Sequence, residues 1–172
     1  MTRIVGHRGG RNLWPENSLI GFRNVTSAGV EVVEFDVHLT DAGELVVIHD
    51  PTLERTTDGT GAVRTLTPQQ RQNVQIKDGG GVIPTLGEVL DVLADSDLEL
   101  HVEIKSDADG KPYPGLPEKV LETLRARDLA DRSMLTSFRL DVLEHFAKIA
   151  PDLQRLCSID EKSARTLGPA EM

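Results

Sequence analysis

Cysteine, aromatic side chains and positive charge are all scarce in this chain, and each scarcity closes a class of function. Cys157 is the single cysteine of 172 residues, so an internal disulfide is excluded. Inside the apolar run Leu156-Cys157-Ser158-Ile159 it reads as a small core residue rather than a nucleophile, and a reducing compartment suits it. Aromatic residues make up 3%, and 19 basic residues face 28 acidic ones for a formal net charge of −9. Such a surface offers neither a track for phosphates nor platforms for base stacking, which excludes nucleic acid as a partner. No apolar run approaches the roughly 20 residues of a membrane-spanning helix. The opening Met1-Thr2-Arg3-Ile4-Val5-Gly6-His7 enters a strand at once and leaves no room for a charged, apolar and cleavable leader, so the expectation is a cytoplasmic protein.

What is present is the balance of a globular domain, 38% hydrophobic and 27% charged, with residues 1–172 enough for one core and too few for two. Ile4 and Val5 begin a strand that ends at Gly6-His7-Arg8-Gly9-Gly10, where glycine lets backbone approach a ligand. Asn17 or Ser18 caps a helix whose apolar positions Leu19, Ile20, Phe22, Val25 and Ala28 recur at helical spacing until Gly29. Residues 32–39 form the next strand, parallel to the first because a helical crossover joins them. After the turn Thr40-Asp41-Ala42-Gly43-Glu44, a strand over 45–49 follows too closely for a crossover, which predicts an antiparallel hairpin. A turn centred on Ala42 and Gly43 pairs Leu39 with Val46, Val37 with Ile48 and Asp36 with His49. Residues 51–84 are loop-rich with a short helix near 67–73, an insertion expected to lie over the active-site end. Thr85 and Glu88 open a capped helix, and an alternating strand over 98–105 follows. A helix over 117–126, a strand over 133–138, a helix over 140–149 and a strand over 153–159 complete the order. Repeated βα units predict a parallel α/β sheet or barrel with its functional residues at strand carboxyl ends.

Along 32–39, Val33, Phe35 and Val37 share one strand face while Glu34 and Asp36 share the other. Carboxylates two apart on a strand sit roughly 6 to 7 Å apart at the backbone. At an effective dielectric near 20 they repel by on the order of 2 to 3 kcal/mol, so something cationic must answer them. His7, Glu34, Asp36, His49, Glu103 and Lys105 all fall at strand carboxyl ends, or beside them through the hairpin. Three carboxylates with two histidines suit one hard divalent cation, Mg²⁺ or Ca²⁺, better than zinc. Arg8 and Lys105 add charge where an anionic group can dock. Together they suggest phosphoester chemistry in which the histidine pair moves protons. Singly, each has an ordinary explanation: a solvated strand face, a hydrogen-bonded packing histidine, or a local Glu103–Lys105 ion pair. His101, His145 and Trp14 keep such ordinary roles. Convergence from four segments sets the other six apart.

These residues carry a resemblance. His7-Arg8-Gly9 before Pro15-Glu16-Asn17-Ser18, Glu34-Phe35-Asp36-Val37 with Leu39-Thr40, Val47-Ile48-His49-Asp50 with Leu53 and Arg55-Thr56-Thr57, Ile83-Pro84-Thr85-Leu86, Glu103-Ile104-Lys105, and Thr136-Ser137-Phe138 together resemble the glycerophosphodiester phosphodiesterase family. The resemblance implies a TIM (β/α) barrel that hydrolyses glycerophosphodiesters to an alcohol and glycerol 3-phosphate. By position it implies Glu34, Asp36 and Glu103 as metal ligands, His7 and His49 as the catalytic acid/base pair, and Arg8 and Lys105 as phosphate contacts.

A complete barrel of this type needs eight strands and roughly 250 residues. This sequence accounts for five barrel strands, with the hairpin strand extra. The expectations are three: a shortened gene product, completion by another chain or by strand exchange in a homo-oligomer, or a stable partial barrel with weakened activity. Two further alternatives are a non-catalytic metal-binding or oligomer-forming module and a phospholipase D-like relative.

Overall fold

A computed structural model describes residues 2–161. Strand β1 (Val5–His7) leads through helix α1 (Leu19–Val25) to β2 (Val32–Leu39) and β3 (Leu45–Val47). The next segment holds the four-residue α2 (Pro68–Arg71) and a ribbon of β4 (Gln75–Ile76) with β5 (Gly81–Val82). Then α3 (Leu86–Leu93), β6 (Glu99–Ile104), α4 (Leu116–Arg125), β7 (Ser133–Ser137), α5 (Leu140–Ile149) and β8 (Gln154–Cys157) alternate. The helix starts follow local chemistry. Ser18 is the cap of α1: its hydroxyl accepts from the Gly21 amide at 3.0 Å and donates to the Pro15 carbonyl at 2.6 Å. Thr67 with Gln70 and Thr85 with Glu88 form capping boxes at α2 and α3.

Strands β1, β2, β6, β7 and β8 pair in that order and all in parallel. This is the strand succession of a TIM barrel carried through five of eight strands, and among the described residues β1 and β8 remain open edges. Helices cover one face. There Phe22 meets Phe35 edge-on at a ring separation of 5.7 Å, within a core that also buries Leu90, Leu100, Leu124 and Phe146 completely. The other face would line a barrel, and at its edges Val5 and Leu156 are 44% and 48% exposed. Residues 51–84 have a small core of their own, including Leu53, Val63 and Ile83, fastened to the sheet through Val46 and Ile48. Buried Arg71 ties this segment to the hairpin, reaching Glu44 at 3.2 Å and the Ile83 carbonyl at 2.8 Å.

Two expectations are corrected. The hairpin pairs Leu39 with Leu45, His38 with Val46 and Val37 with Val47, one residue away from the expected register. The cause is the turn. Thr40 accepts from Gly43 and donates to the Glu44 carbonyl at 2.9 Å each, closing a three-residue loop with Gly43 at φ +87°, where a two-residue turn was expected. Regular pairing stops at Val47, and His49 lies beyond it. Cys157 is also not a core residue. It is half-buried on the edge strand β8, its Sγ 3.7 Å from the Ser158 carbonyl.

Gly6 on β1 faces α1 so closely that a Cβ there would lie 2.5 Å from Val25 Cγ2. Gly6→Ala is expected to cost about 1 to 3 kcal/mol of stability through overpacking. Combined with Val25→Ala, the added methyl enters the space the valine leaves, so the double variant should be more stable than the sum of the single losses predicts. Urea unfolding of the four proteins checks this; strict additivity would refute the packing account.

Candidate active site

The site starts from the strand alternation of β2. Glu34, Asp36 and His38 share the face away from the helices, and all three are buried. The parallel register sets Asp36 directly beside Glu103 of β6 and Glu34 beside His7 of β1. One carboxylate oxygen from each of Glu34, Asp36 and Glu103 lies within 4.8 Å of the other two. At an effective dielectric near 20, each such pair of negative charges repels by on the order of 3 kcal/mol.

Cationic and amide groups answer part of this charge. Lys105 Nζ donates to Glu103 Oε1 at 2.7 Å and approaches Asp36 Oδ1 at 3.4 Å. Burial alone would lower the lysine's pKa, but Asp36 and Glu103 outweigh it and hold the ammonium charged. Arg8 donates its backbone N–H to Glu34 Oε2 at 2.9 Å, and its guanidinium Nε lies 3.5 Å from Asp36 Oδ2. Asn17 donates Nδ2 to that same Asp36 oxygen at 2.8 Å. Both Arg8 and Asn17 hold left-handed backbone, at φ +50° and +54°, and the Asn17 amide donates to the Arg8 carbonyl at 3.0 Å. Left-handed φ is uncommon outside glycine, and here it aims two donors at the carboxylates.

The answer is incomplete. Glu34 Oε1 and Asp36 Oδ1 are buried without a hydrogen-bond partner among the described residues. Burial first, then Asp36, push the Glu34 carboxyl up to about 8. Three converging carboxylates with unpartnered oxygens and no sulfur fit a hard divalent cation, which takes oxygen ligands and supplies the missing charge. The residues present therefore fit the group that the sequence suggested.

The two candidate histidines have different partners. His7 Nε2 is 3.6 Å from Glu34 Oε2, and its side chain is half exposed. Burial, then the charges of Arg8 and Arg11, lower its pKa. The upward push on Glu34 and the downward push on His7 both disfavour an ion pair between them. His49 lies near enough to His7 for their charges to oppose one another. The register expected to set it beside Asp36 was wrong, and its backbone is held instead by His38, which bonds its carbonyl at 3.1 Å. His49 Nδ1 meets Asp50 Oδ1 at 2.6 Å, which leaves Nε2 as the nitrogen free to exchange a proton.

Sequence reasoning missed the frame behind these groups. Arg55 reaches from the 51–84 segment to hydrogen-bond Asp50 through Nε, and through Nη2 to Oδ1 at 3.1 Å. The same guanidinium grips Glu16 with bonds of 2.7 and 3.0 Å, and Glu16 in turn accepts from Arg8 at 3.0 Å. An unbroken polar chain thus runs from His49 through Asp50, Arg55, Glu16 and Arg8 to Asp36. Asp50, Arg55 and Glu16 stand in the quoted motifs, and nothing in their spacing reveals that they meet. His101, by contrast, bonds Glu99 at 2.8 Å and exposed His145 bonds Glu118 at 2.6 Å, the ordinary roles expected of them. Trp14 packs against the core, as expected.

The sequence profile of the Glycerophosphoryl diester phosphodiesterase family matches residues 7–169. A glycerophosphodiester phosphodiesterase from Caldanaerobacter subterraneus is 36% identical over 89% of this chain and 65% of its own length. A structure from Agrobacterium tumefaciens provisionally assigned as a glycerophosphoryl diester phosphodiesterase superposes with a TM-score of 0.93 at 35% identity, covering 99% of this chain and 69% of that one. A phosphodiesterase from Oleispira antarctica, solved in complex with the product sn-glycerol-3-phosphate, covers 97% of this chain and 71% of its own at 27% identity and a TM-score of 0.77. The chain therefore spans about 65% of the length of the first curated relatives it matches. Five parallel barrel strands, a carboxylate triad at their carboxyl ends and a profile match over nearly the whole sequence place this chain in the glycerophosphoryl diester phosphodiesterase family.

Proposed function

We propose that the chain carries the cation-binding and proton-transfer centre of a glycerophosphodiester phosphodiesterase, which adds water across a P–O bond to give an alcohol and glycerol 3-phosphate. The observation that carries the reading is the buried triad of Glu34, Asp36 and Glu103 with oxygens left unpartnered, flanked by His7 and by the cations Arg8 and Lys105. The triad would hold one Mg²⁺ or Ca²⁺, which when bound supplies positive charge to the phosphoryl oxygens. Arg8 and Lys105 orient the phosphate, Arg8 through a planar fork and Lys105 as a point charge. His7 and His49 form the acid/base pair, with His49 acting through Nε2 because Asp50 engages Nδ1.

A cleft of about 490 Å³ adjoins this centre through Glu16 and Arg55. It does not include the triad, and its size suits the alcohol portion of a small diester rather than the reacting phosphate. The 51–84 segment, which sends Arg55 to the site, is read as a cover over the site's carboxyl end.

A second reading rests on the open edges. The exposed Val5 and Leu156 favour strand exchange with a second copy, and in that case the chain is a cation-binding, oligomer-forming module. Substrate turnover by the monomer, measured together with the mass in solution, separates the two.

Purified chain with Mg²⁺ or Ca²⁺ should release glycerol 3-phosphate from glycerophosphocholine. His7→Ala or His49→Ala should lower kcat by roughly 10²- to 10⁴-fold. Parental rates in both variants would remove the histidines from the mechanism.

The cation should raise the melting temperature in proportion to the logarithm of its concentration above Kd. Glu103→Gln should flatten that dependence, and an unchanged slope would place the cation elsewhere.

Asp50 supplies a pH test. Burial would raise its pKa, but hydrogen bonds from Arg55 and His49 win and hold it down to about 2. A carboxyl depressed in the folded state contributes stability that is fully present above its unfolded value of about 3.9 and is lost as pH falls through the folded value. The wild-type advantage over Asp50→Asn in urea midpoint should therefore be present at pH 5 and shrink steadily below pH 4. A pH-independent difference would mean that the charge contributes nothing.

A further inference from the structure

His38 is completely buried on the triad's own strand face, two residues past Asp36, yet it holds no place in the chemistry above. Its two ring nitrogens have different partners. Nε2 lies 3.1 Å from the backbone carbonyl of His49, and Nδ1 lies 2.9 Å from the Tyr113 hydroxyl. A carbonyl oxygen only accepts, so Nε2 carries the hydrogen. A ring with no access to water is held neutral, which leaves a lone pair on Nδ1 to accept from Tyr113. The carbonyl thereby fixes the hydrogen on Nε2, and the hydroxyl, able to donate or accept, matches whatever Nδ1 presents.

The place of this clasp in the fold gives it meaning. The hairpin ladder ends at Val47, and past it the Ile48 amide donates to the Asp36 carbonyl at 3.1 Å. His49 is the next residue. Its backbone has left the ladder, and the His38 bond lands on its carbonyl. Tyr113 comes from the loop between β6 and α4, is itself buried, and meets the His38 ring edge-on at 5.6 Å. His38 thus touches the peptide group of the proposed acid/base histidine directly, and Tyr113 stands behind it through the His38 ring.

We propose that His38 is a positioning residue for His49, held in the Nε2–H tautomer by the carbonyl it grips and seated at Nδ1 by the Tyr113 hydroxyl. Two supports then hold His49: Asp50 fixes the ring at Nδ1, and His38 fixes the backbone from which the ring projects. The inference rests on His49 being one of the two proton-transfer groups.

The test uses His38→Leu, which removes the donor, His38→Gln, whose amide N–H can replace it, and Tyr113→Phe, which removes one hydroxyl and keeps the ring. With saturating Mg²⁺ and glycerophosphocholine, His38→Leu should lose roughly 100-fold in kcat, the scale of an ångström-sized misplacement, with KM changed by less than about threefold. His38→Gln should recover most of that loss, and Tyr113→Phe should fall between. A purely structural role would instead make kcat follow melting temperature across the three variants. Long-range ¹H–¹⁵N spectra of the histidine rings give a readout independent of turnover. The wild type should show His38 as the neutral Nε2–H tautomer, and His38→Leu should broaden or shift the His49 ring signals. Absence of turnover in the wild type would sink the enzymatic reading and leave the spectra to decide the clasp. An Nδ1–H tautomer at His38, unmoved His49 signals in His38→Leu, or equal impairment of the leucine and glutamine variants would overturn the inference.

Discussion

Three carboxylates held within 4.8 Å of one another in a mostly buried setting are the constraint from which the rest of this site follows. Each pair repels by on the order of 3 kcal/mol at an effective dielectric near 20. Without answering charge, a cluster like this would destabilise the fold that builds it, since native stability is itself only about 5 to 15 kcal/mol. Part of the answer is built in: Lys105 just past β6, Arg8 after β1, and the Asn17 side-chain amide before α1. Part is not, as Glu34 Oε1, buried without a hydrogen-bond partner among the described residues, and the upward push on Glu34 show. The residual demand is what suits the triad to the divalent cation proposed for it, since a fully saturated salt-bridge cluster would perturb pKa values equally well but offer no free ligand atom.

The same charges explain why so many separate segments converge here. Arg8 must both donate its amide to Glu34 and turn its guanidinium toward Asp36, and Glu16 fixes it in that pose. Glu16 is held by Arg55, and Arg55 by Asp50. A perturbation at the tip of the 51–84 segment can therefore reach the carboxylates through bonded groups alone. The half-exposed pairs of Arg55 individually contribute little, but a connected network with bidentate geometry orients its members even where it adds little stability. The dependence is geometric more than energetic, and proton transfer is the part of phosphodiester chemistry most sensitive to geometry.

How much of this was legible in the sequence depends on whether the information was periodic. Period-two alternation on β2 and β6 placed Glu34, Asp36, Glu103 and Lys105 on one face, because strand geometry leaves no other choice. The capping pair Thr85–Glu88 was readable for a similar reason, its partners lying three residues apart; Thr67–Gln70 has the same spacing and appeared only in the structure. The hairpin register was not, since it turned on whether two or three residues close the turn. One extra residue with Gly43 in the left-handed region moved every pair by one. The partnership of Arg55 with Glu16, across 39 positions, and of Tyr113 with His38, across 75, carries no periodic signal at all. His38 itself could have been marked, because it continues the i, i+2 series from Glu34 and Asp36. Its partner could not.

The open edges of the sheet bear on catalysis differently from how they bear on binding. Every residue of the proposed centre comes from residues 7–105, so β7 and β8 contribute support rather than chemistry; Ser137, for example, donates to the Ile104 carbonyl at 3.0 Å just before Lys105. Holding a cation needs the three carboxylates and their register, and β1, β2 and β6 supply both. Stabilising a phosphoryl transition state needs more, because fixed charges are effective only where water is kept out. On the barrel-lining side, Phe138 near Lys105 is 43% exposed, so water reaches that flank of the centre. Cation affinity and turnover are therefore separable properties of this fold. Closing the lining face, by whatever covers it, should act mainly on the second.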